Sequence, residues 1–124
     1  MKEIIGIFLV LISTIGTLLG IFFYENSREK SDTFTIIAMA PERGNWDPEV
    51  LKVPAGKDIT IIIKNEDVVS HGFIIPELDL FIREIKAGEL SKIKWRFEKG
   101  QYLYMCGIWC SDYHMYMIGK IIAK

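Results

Sequence analysis

The chain carries no surplus of charge. Its 124 residues hold 15 lysines and arginines against 16 aspartates and glutamates, and from residue 33 onward there are twelve of each. With no basic excess to neutralise phosphates, nucleic acid is not an expected partner. Cysteine and histidine are scarce too, at two of each. Ordinary iron–sulfur clusters take four protein ligands, mostly cysteine, and two cysteines cannot supply them. The sequence has no internal repeat and no low-complexity tract, and residues 33–124 suffice for one small core but not for two domains.

What the chain does have, first, is a long apolar run. Residues 4–24 (IIGIFLVLISTIGTLLGIFFY) contain no charge, and as a helix rising about 1.5 Å per residue they reach roughly 31 Å, enough to cross a bilayer core. A cleaved secretory signal fits less well, because its apolar stretch is shorter and ends at a small-x-small site absent here. Phe22, Phe23 and Tyr24 suit an interfacial aromatic belt. The expected organisation is a transmembrane anchor over 1–25, a polar linker over 26–33 and one domain over 34–124. Lys2 precedes the helix and Arg28 and Lys30 follow it, so the positive-inside count does not fix the orientation.

Beyond the linker the periodicity becomes strand-like. FTIIAMA (34–40) and DITIIIKN (58–65) are rich in β-branched residues, and IKWRF (93–97) alternates apolar with basic side chains. QYLYMC (101–106) and IGKIIAK (118–124) read as two further strands, with turn signals at Pro54-Ala55-Gly56, Ala87-Gly88 and Lys99-Gly100. PERGNWDPE (41–49) reads as loop, because two prolines and Gly44 interrupt a ladder. An amphipathic helix over 77–92 is conceivable, but β-branched residues and Gly88 count against it. Short strands at regular spacing predict an all-β sandwich or barrel.

The chemistry gathers in residues 106–117, CGIWCSDYHMYM, which hold both cysteines, one histidine and two of the five methionines. Cys106, Cys110, His114 and Met117 would share one face of a helix, but Gly107, Ser111 and Asp112 are poor helix formers and the stretch lies between two strands. A loop closing on itself can aim all four at one point. Thiolate, imidazole and thioether together favour copper, whereas a thioether is not a usual zinc ligand. Two other readings of the cysteine pair are a disulfide and a redox or copper-delivery pair of thioredoxin type. For a thioredoxin fold, the fourteen residues after Cys110 are too few. The second histidine, His71 in VVSHGFIIP (68–76), would more often be a core or surface residue. A copper site needs imidazoles, however, and a sandwich can bring an earlier loop beside the last one, so His71 is expected to join the cluster.

The pattern C-x-x-x-C-x-x-x-H-x-x-M, met here at every ligand position, resembles the ligand loop of dinuclear copper A (CuA) domains in subunit II of haem–copper terminal oxidases such as cytochrome c oxidase. The segment from Asp67 to Phe73 resembles that family's first-histidine segment, with one extra residue before His71. Val53-Pro54-Ala55-Gly56 and Lys99-Gly100-Gln101-Tyr102 resemble cupredoxin landmarks. The likeness runs from about Trp46 to Lys124. It implies a cupredoxin-like Greek-key β-sandwich after a single anchor. It also implies that Cys106 and Cys110 bridge two coppers, that His71 and His114 each bind one, and that Met117 and the backbone carbonyl of Ile108 are weak ligands. Many oxidase members carry glutamate where Ile108 stands and bind magnesium or manganese through it, so no such second metal is expected here.

On this resemblance the chain is expected to be a non-catalytic electron-accepting subunit in the cell membrane, its domain on the extracytoplasmic side. It would take electrons from a cytochrome or small copper protein and pass them to a haem–copper subunit I. With both histidines assigned, no nucleophile–base–acid set is left for bond-making catalysis. Phe73, Ile74, Trp109, Tyr113, Met115 and Tyr116 are candidates either to exclude water from the metal or to form an apolar docking rim. The alternatives are a free-standing CuA carrier, a subunit of another reductase, a copper storage or delivery protein, and a disulfide-stapled binding module.

Overall fold

The computed structural model describes residues 1–27 and 32–124. Contacts divide the chain into two units, Met1–Lys30 and Ser31–Lys124. The first holds one helix, α1 (Lys2–Ser27). Its span Lys2–Glu25 reaches a mean hydropathy of 2.5 over 18 residues and is long and apolar enough to cross a membrane. Inside it the hydroxyl of Thr14 donates to the carbonyls of Val10 and Leu11, and that of Thr17 to Ser13 and Thr14. These two hydroxyls are thereby satisfied within the helix itself.

The second unit is a sandwich of two sheets. One sheet contains β1 (Asp32–Ala38), β2 (Trp46–Asp47), β4 (Asp58–Asn65) and β7 (Leu90–Arg96), in the order β2-β1-β4-β7. The other contains β3 (Val50–Val53), β5 (His71–Ile75), β6 (Leu80–Ile85), β8 (Gly100–Met105) and β9 (Ile118–Ala123), in the order β3-β9-β8-β5-β6. Strand β4 occupies the residues its β-branched run predicts and lies between β1, parallel, and β7, antiparallel. Its Ile59, Ile61 and Ile63 are fully buried at alternate positions, each contributing about 1.5–3 kcal/mol by leaving water.

The sequence reading is refined in three stretches. Strand β1 begins at Asp32, two residues before the run read as strand, and the expected linker's residues 28–31 lie outside the described residues. Within 41–49, Pro41–Arg43 forms a 3-10 turn and Trp46–Asp47 pairs with β1. Residues 77–92 hold the whole of β6, a turn and the start of β7, without an α-helix, in line with the β-branched residues and Gly88 that count against one.

A cluster of three aromatic rings fills the core beneath one end of the sandwich. Trp46 meets Phe73 edge-on at 5.7 Å and Tyr104 at 5.3 Å, and Phe73 lies 5.3 Å from Tyr104. Such pairs add about 0.5–1.5 kcal/mol beyond their burial. Tyr104 can lie flat across β9 because its ladder partner is Gly119. A Cβ there would overlap the Tyr104 ring.

Candidate metal centre

Residues 106–117 connect β8 to β9. The antiparallel ladder of that pair ends at Met105 opposite Ile118, and the Cys106 N–H then donates to the Met117 carbonyl at 3.3 Å. The two ends of the cluster are thus locked together at the loop's base. The Trp46 indole N–H donates to the same Met117 carbonyl at 3.1 Å and fixes it to the aromatic core. Inside the loop, the Tyr113 N–H donates to the Ser111 hydroxyl and the Met117 N–H to the His114 carbonyl, folding His114–Tyr116 into a 3-10 turn. The ligand stretch is therefore a loop with one short turn, as its poor helix formers predict.

His71 reaches the loop from β5, which pairs with β8 through Ile74 and Met105. It opens the strand and does not sit in a loop as the sequence suggested. The β5–β6 register shifts between His71 and Phe73. Such a bulge re-aims a backbone group, and here the Gly72 N–H points at the Cys106 sulfur, 3.4 Å away. Gly72 also passes very close to the loop: a Cβ on it would stand 3.0 Å from the Gly107 nitrogen and 3.1 Å from the Arg83 carbonyl oxygen.

These strands bring the candidate donors together. Among the described residues, His71, Cys106 and Cys110 form a group whose ligand atoms all lie within 4.8 Å of one another. The Nδ1 atom of His71 is 3.8 Å from Cys106 Sγ, and that of His114 is 3.6 Å from Cys110 Sγ. Met117 Sδ lies 3.8 Å from Cys110 Sγ, and the Cys106 thiol donates to the Ile108 carbonyl at 3.2 Å. Both cysteines are free thiols. His71, Cys106, Cys110 and Met117 are buried, and His114 is half-buried. Soft sulfur and borderline nitrogen donors shielded from water match copper better than zinc, whose sites do not use thioethers.

The residues around the donors include some that sequence reasoning missed. His71 Nε2 lies 2.8 Å from Asp67 Oδ2, which leaves Nδ1 facing the sulfur. The Asp67 carboxylate also accepts from the N–H groups of Ala40 and Val68, and from Arg43 through Nε at 2.7 Å and Nη2 at 3.0 Å. An aspartate four residues before a histidine is the one signal of this the sequence offers. Arg43 and Trp46 lie in a stretch that reads simply as loop.

Charge follows geometry. Burial would raise the Asp67 carboxyl, but Arg43, the Ala40 N–H and His71 together hold it well below the usual range. Burial works against a charged His71, while hydrogen bonds to Cys106 and Asp67 raise its pKa. Cys106 is lowered in spite of its burial, by His71 and the backbone groups around it, whereas burial and the neighbouring Cys106 push Cys110 up. Burial thus opposes charge on both sulfurs of the metal-free pair, and a metal must displace the thiol protons because only thiolates ligate.

Residues 13–123 match the cupredoxin-like domain family. This chain is a cupredoxin. The cupredoxin is 31% identical over 91 residues to a nitrous-oxide reductase of Pseudomonas fluorescens; the match covers 70% of this chain and 14% of that protein's length. Its fold resembles a chain of a haem–copper terminal oxidase dimer, at 21% identity with 100% of both chains covered and a TM-score of 0.63. It also resembles an auracyanin from Roseiflexus castenholzii, at 18% identity over 77% of this chain and 99% of that one, with a TM-score of 0.61. At these identities the solved structures share its fold. Of the side chains weighed as shield or rim, Phe73 is buried and Ile74 half-buried, while Trp109, Tyr113, Met115 and Tyr116 are 55–76% exposed.

Proposed function

We propose that this cupredoxin is an electron-transfer protein holding a dinuclear CuA centre, and that it serves as subunit II of a membrane-bound haem–copper oxidase. The observation that carries the reading is the convergence of Cys106, Cys110, His71, His114, Met117 and the Ile108 carbonyl at one end of the sandwich, linked by contacts of 3.2–3.8 Å. Cys106 and Cys110 would hold the copper pair through their thiolates, His71 and His114 through ring nitrogens, and Met117 and the Ile108 carbonyl would be weak ligands. Bound there, the copper pair would supply reversible one-electron uptake.

The chain's own residues supply the rest. The β8–β9 ladder and the His71 strand hold the donors on a stiff scaffold, so their positions change little between charge states. Burial of both thiolates excludes water. Asp67 keeps the ring of His71 turned so that Nδ1 faces Cys106. Ile108 offers no carboxylate, so no second metal is proposed beside it.

Helix α1 would anchor the chain over residues 1–25, with 26–33 as linker and 34–124 as a domain outside the cytoplasm. The exposed side chains of Trp109, Tyr113, Met115 and Tyr116 would make an apolar rim for brief docking of a cytochrome or small copper protein. A haem–copper subunit I would be the electron acceptor. The likeness to a nitrous-oxide reductase favours a second reading, in which the same centre serves a reductase of another kind.

Reductive titration of the copper-loaded full chain in detergent tests the proposal. Uptake of one electron per two coppers is expected. Two electrons per two coppers would mean two independent ions, and rapid loss of the metal to a chelator would favour copper delivery instead.

A further inference from the structure

The short turn Pro41–Arg43 reaches toward both halves of the donor set through two different side chains, each acting through one intermediate residue. On one side Arg43 grips Asp67, whose carboxylate meets His71 Nε2, and the Asp67 side chain is fully buried. On the other side Glu42 Oε2 accepts from the Ser111 hydroxyl at 3.1 Å, and Ser111 in turn accepts from the Tyr113 N–H, in the stretch between Cys110 and His114. Arg43 Nη1 joins the two arms by donating to Glu42 Oε1 at 3.3 Å. The turn is itself pinned: the Ala40 N–H donates to Asp67 at 2.7 Å, and the Arg43 and Asn45 N–H groups donate to the Ala40 carbonyl.

His71 opens β5 and His114 lies in the 3-10 turn of the β8–β9 loop, so while the sulfurs are unligated their separation rests on the contacts between these two segments. A continuous chain of side-chain hydrogen bonds that bypasses the sulfurs runs His71–Asp67–Arg43–Glu42–Ser111, and the His114 N–H donates to the Ser111 carbonyl at 3.1 Å. We propose that the Pro41–Arg43 turn is a clamp on donor geometry, in which Arg43 positions His71 through Asp67 and Glu42 positions the Cys110–His114 stretch through Ser111. Neither residue touches a donor atom; both are positioning residues. The guanidinium suits this place because its planar fork fills both oxygens of one carboxylate and still has a donor left for Glu42. Partners of this kind around a metal-binding histidine are worth about 10- to 100-fold in metal affinity. The inference rests on the copper reading for its purpose, but the clamp itself can be read without metal.

Two histidines in the sequence make the test direct. Histidine labelled with nitrogen-15 in the full chain, in detergent and copper-free, gives two sets of ring signals. Arg43→Met is expected to shift the His71 ring set and leave the tautomer no longer fixed, with Arg43→Lys intermediate. Glu42→Ala is expected to leave the His71 set in place and move the backbone amide signal of His114, whose N–H donates to the Ser111 carbonyl. After copper loading, both Arg43→Met and Glu42→Ala should release copper to a chelator about tenfold faster than the parent. Glu66→Ala, which only removes a surface pair with Lys64, should do none of this. Unchanged ring and amide signals in the copper-free variants would overturn the clamp even if the parent binds copper well. If the parent takes up no copper while the signals shift as expected, the clamp stands and the copper reading fails. Should Arg43→Met not fold, the graded response of Arg43→Lys decides the same question.

Discussion

Replacing Asp67 with asparagine should cost the copper-free protein a large part of its stability. The carboxylate receives five donors: Ala40 N, Val68 N, Arg43 Nε, Arg43 Nη2 and His71 Nε2. Asparagine keeps the shape but has one accepting oxygen, and its amide nitrogen cannot accept. With the oxygen in the Oδ1 position, Ala40, Arg43 Nη2 and His71 lose their acceptor; in the Oδ2 position, Val68 and Arg43 Nε lose theirs. Either way two or three donors around a fully buried side chain are stranded. At about 1–3 kcal/mol each, and with a charge pair broken, the loss should be about 3–5 kcal/mol. That is a large fraction of the roughly 5–15 kcal/mol typical of a domain.

Urea unfolding of the copper-free full chain at pH 7, followed by tryptophan fluorescence, measures this loss. A change below 1 kcal/mol would refute the assignment of Asp67 as the hub. Acid titration gives an independent check. Burial opposes the charged form of Asp67, but Arg43 and the other donors outweigh it and hold its pKa below the unfolded value. Its contribution is therefore complete above about pH 4 and is lost as pH falls toward its folded value. The parent should lose stability on acidification through that window, and Asp67→Asn should lose less.

Other outcomes follow from the packing. Gly72→Ala should cost about 1–3 kcal/mol in urea unfolding and weaken copper binding, because the added carbon meets backbone of Gly107 and Arg83 at 3.0–3.2 Å, which cannot swing aside. Gly119→Ala should lower the melting temperature by more than about 5 °C, since the new methyl overlaps the buried Tyr104 ring and a 1 kcal/mol loss alone moves a domain of this size about 4–8 °C. Electron uptake from a soluble donor should depend weakly on ionic strength, as the exposed rim of Trp109, Tyr113, Met115 and Tyr116 is apolar. A steep fall in stopped-flow rates with added salt would point to charged docking instead.

What the sequence revealed depended on how local each signal was. The apolar helix and β4 were legible because each is an uninterrupted pattern with clear ends. The candidate donors at 106–117 could be read together because one loop supplies all but one of them. His71 could be suspected only from that loop's needs, and its strand was hidden because HGFII begins at a bulge where the period-2 pattern breaks. Strand β6, LFIREI, has apolar residues that fit helical spacing as well as strand alternation, and only pairing with β5 decides between them. The hold of Arg43 on Asp67 spans 24 residues of sequence and that of Glu42 on Ser111 spans 69, and nothing local marks either. Trp46 looked like part of a proline-broken loop, although the fold buries its ring against Phe73 and Tyr104 and ties its N–H to the carbonyl of Met117.

The most direct test of the account is the copper content of the reconstituted full chain together with its electron paramagnetic resonance spectrum. Two coppers per chain, with hyperfine splitting from one electron shared by two equivalent nuclei, is the predicted result. One copper per chain with a localised spectrum would contradict it, leaving one cysteine outside the site and making the protein a mononuclear carrier or a copper-delivery protein.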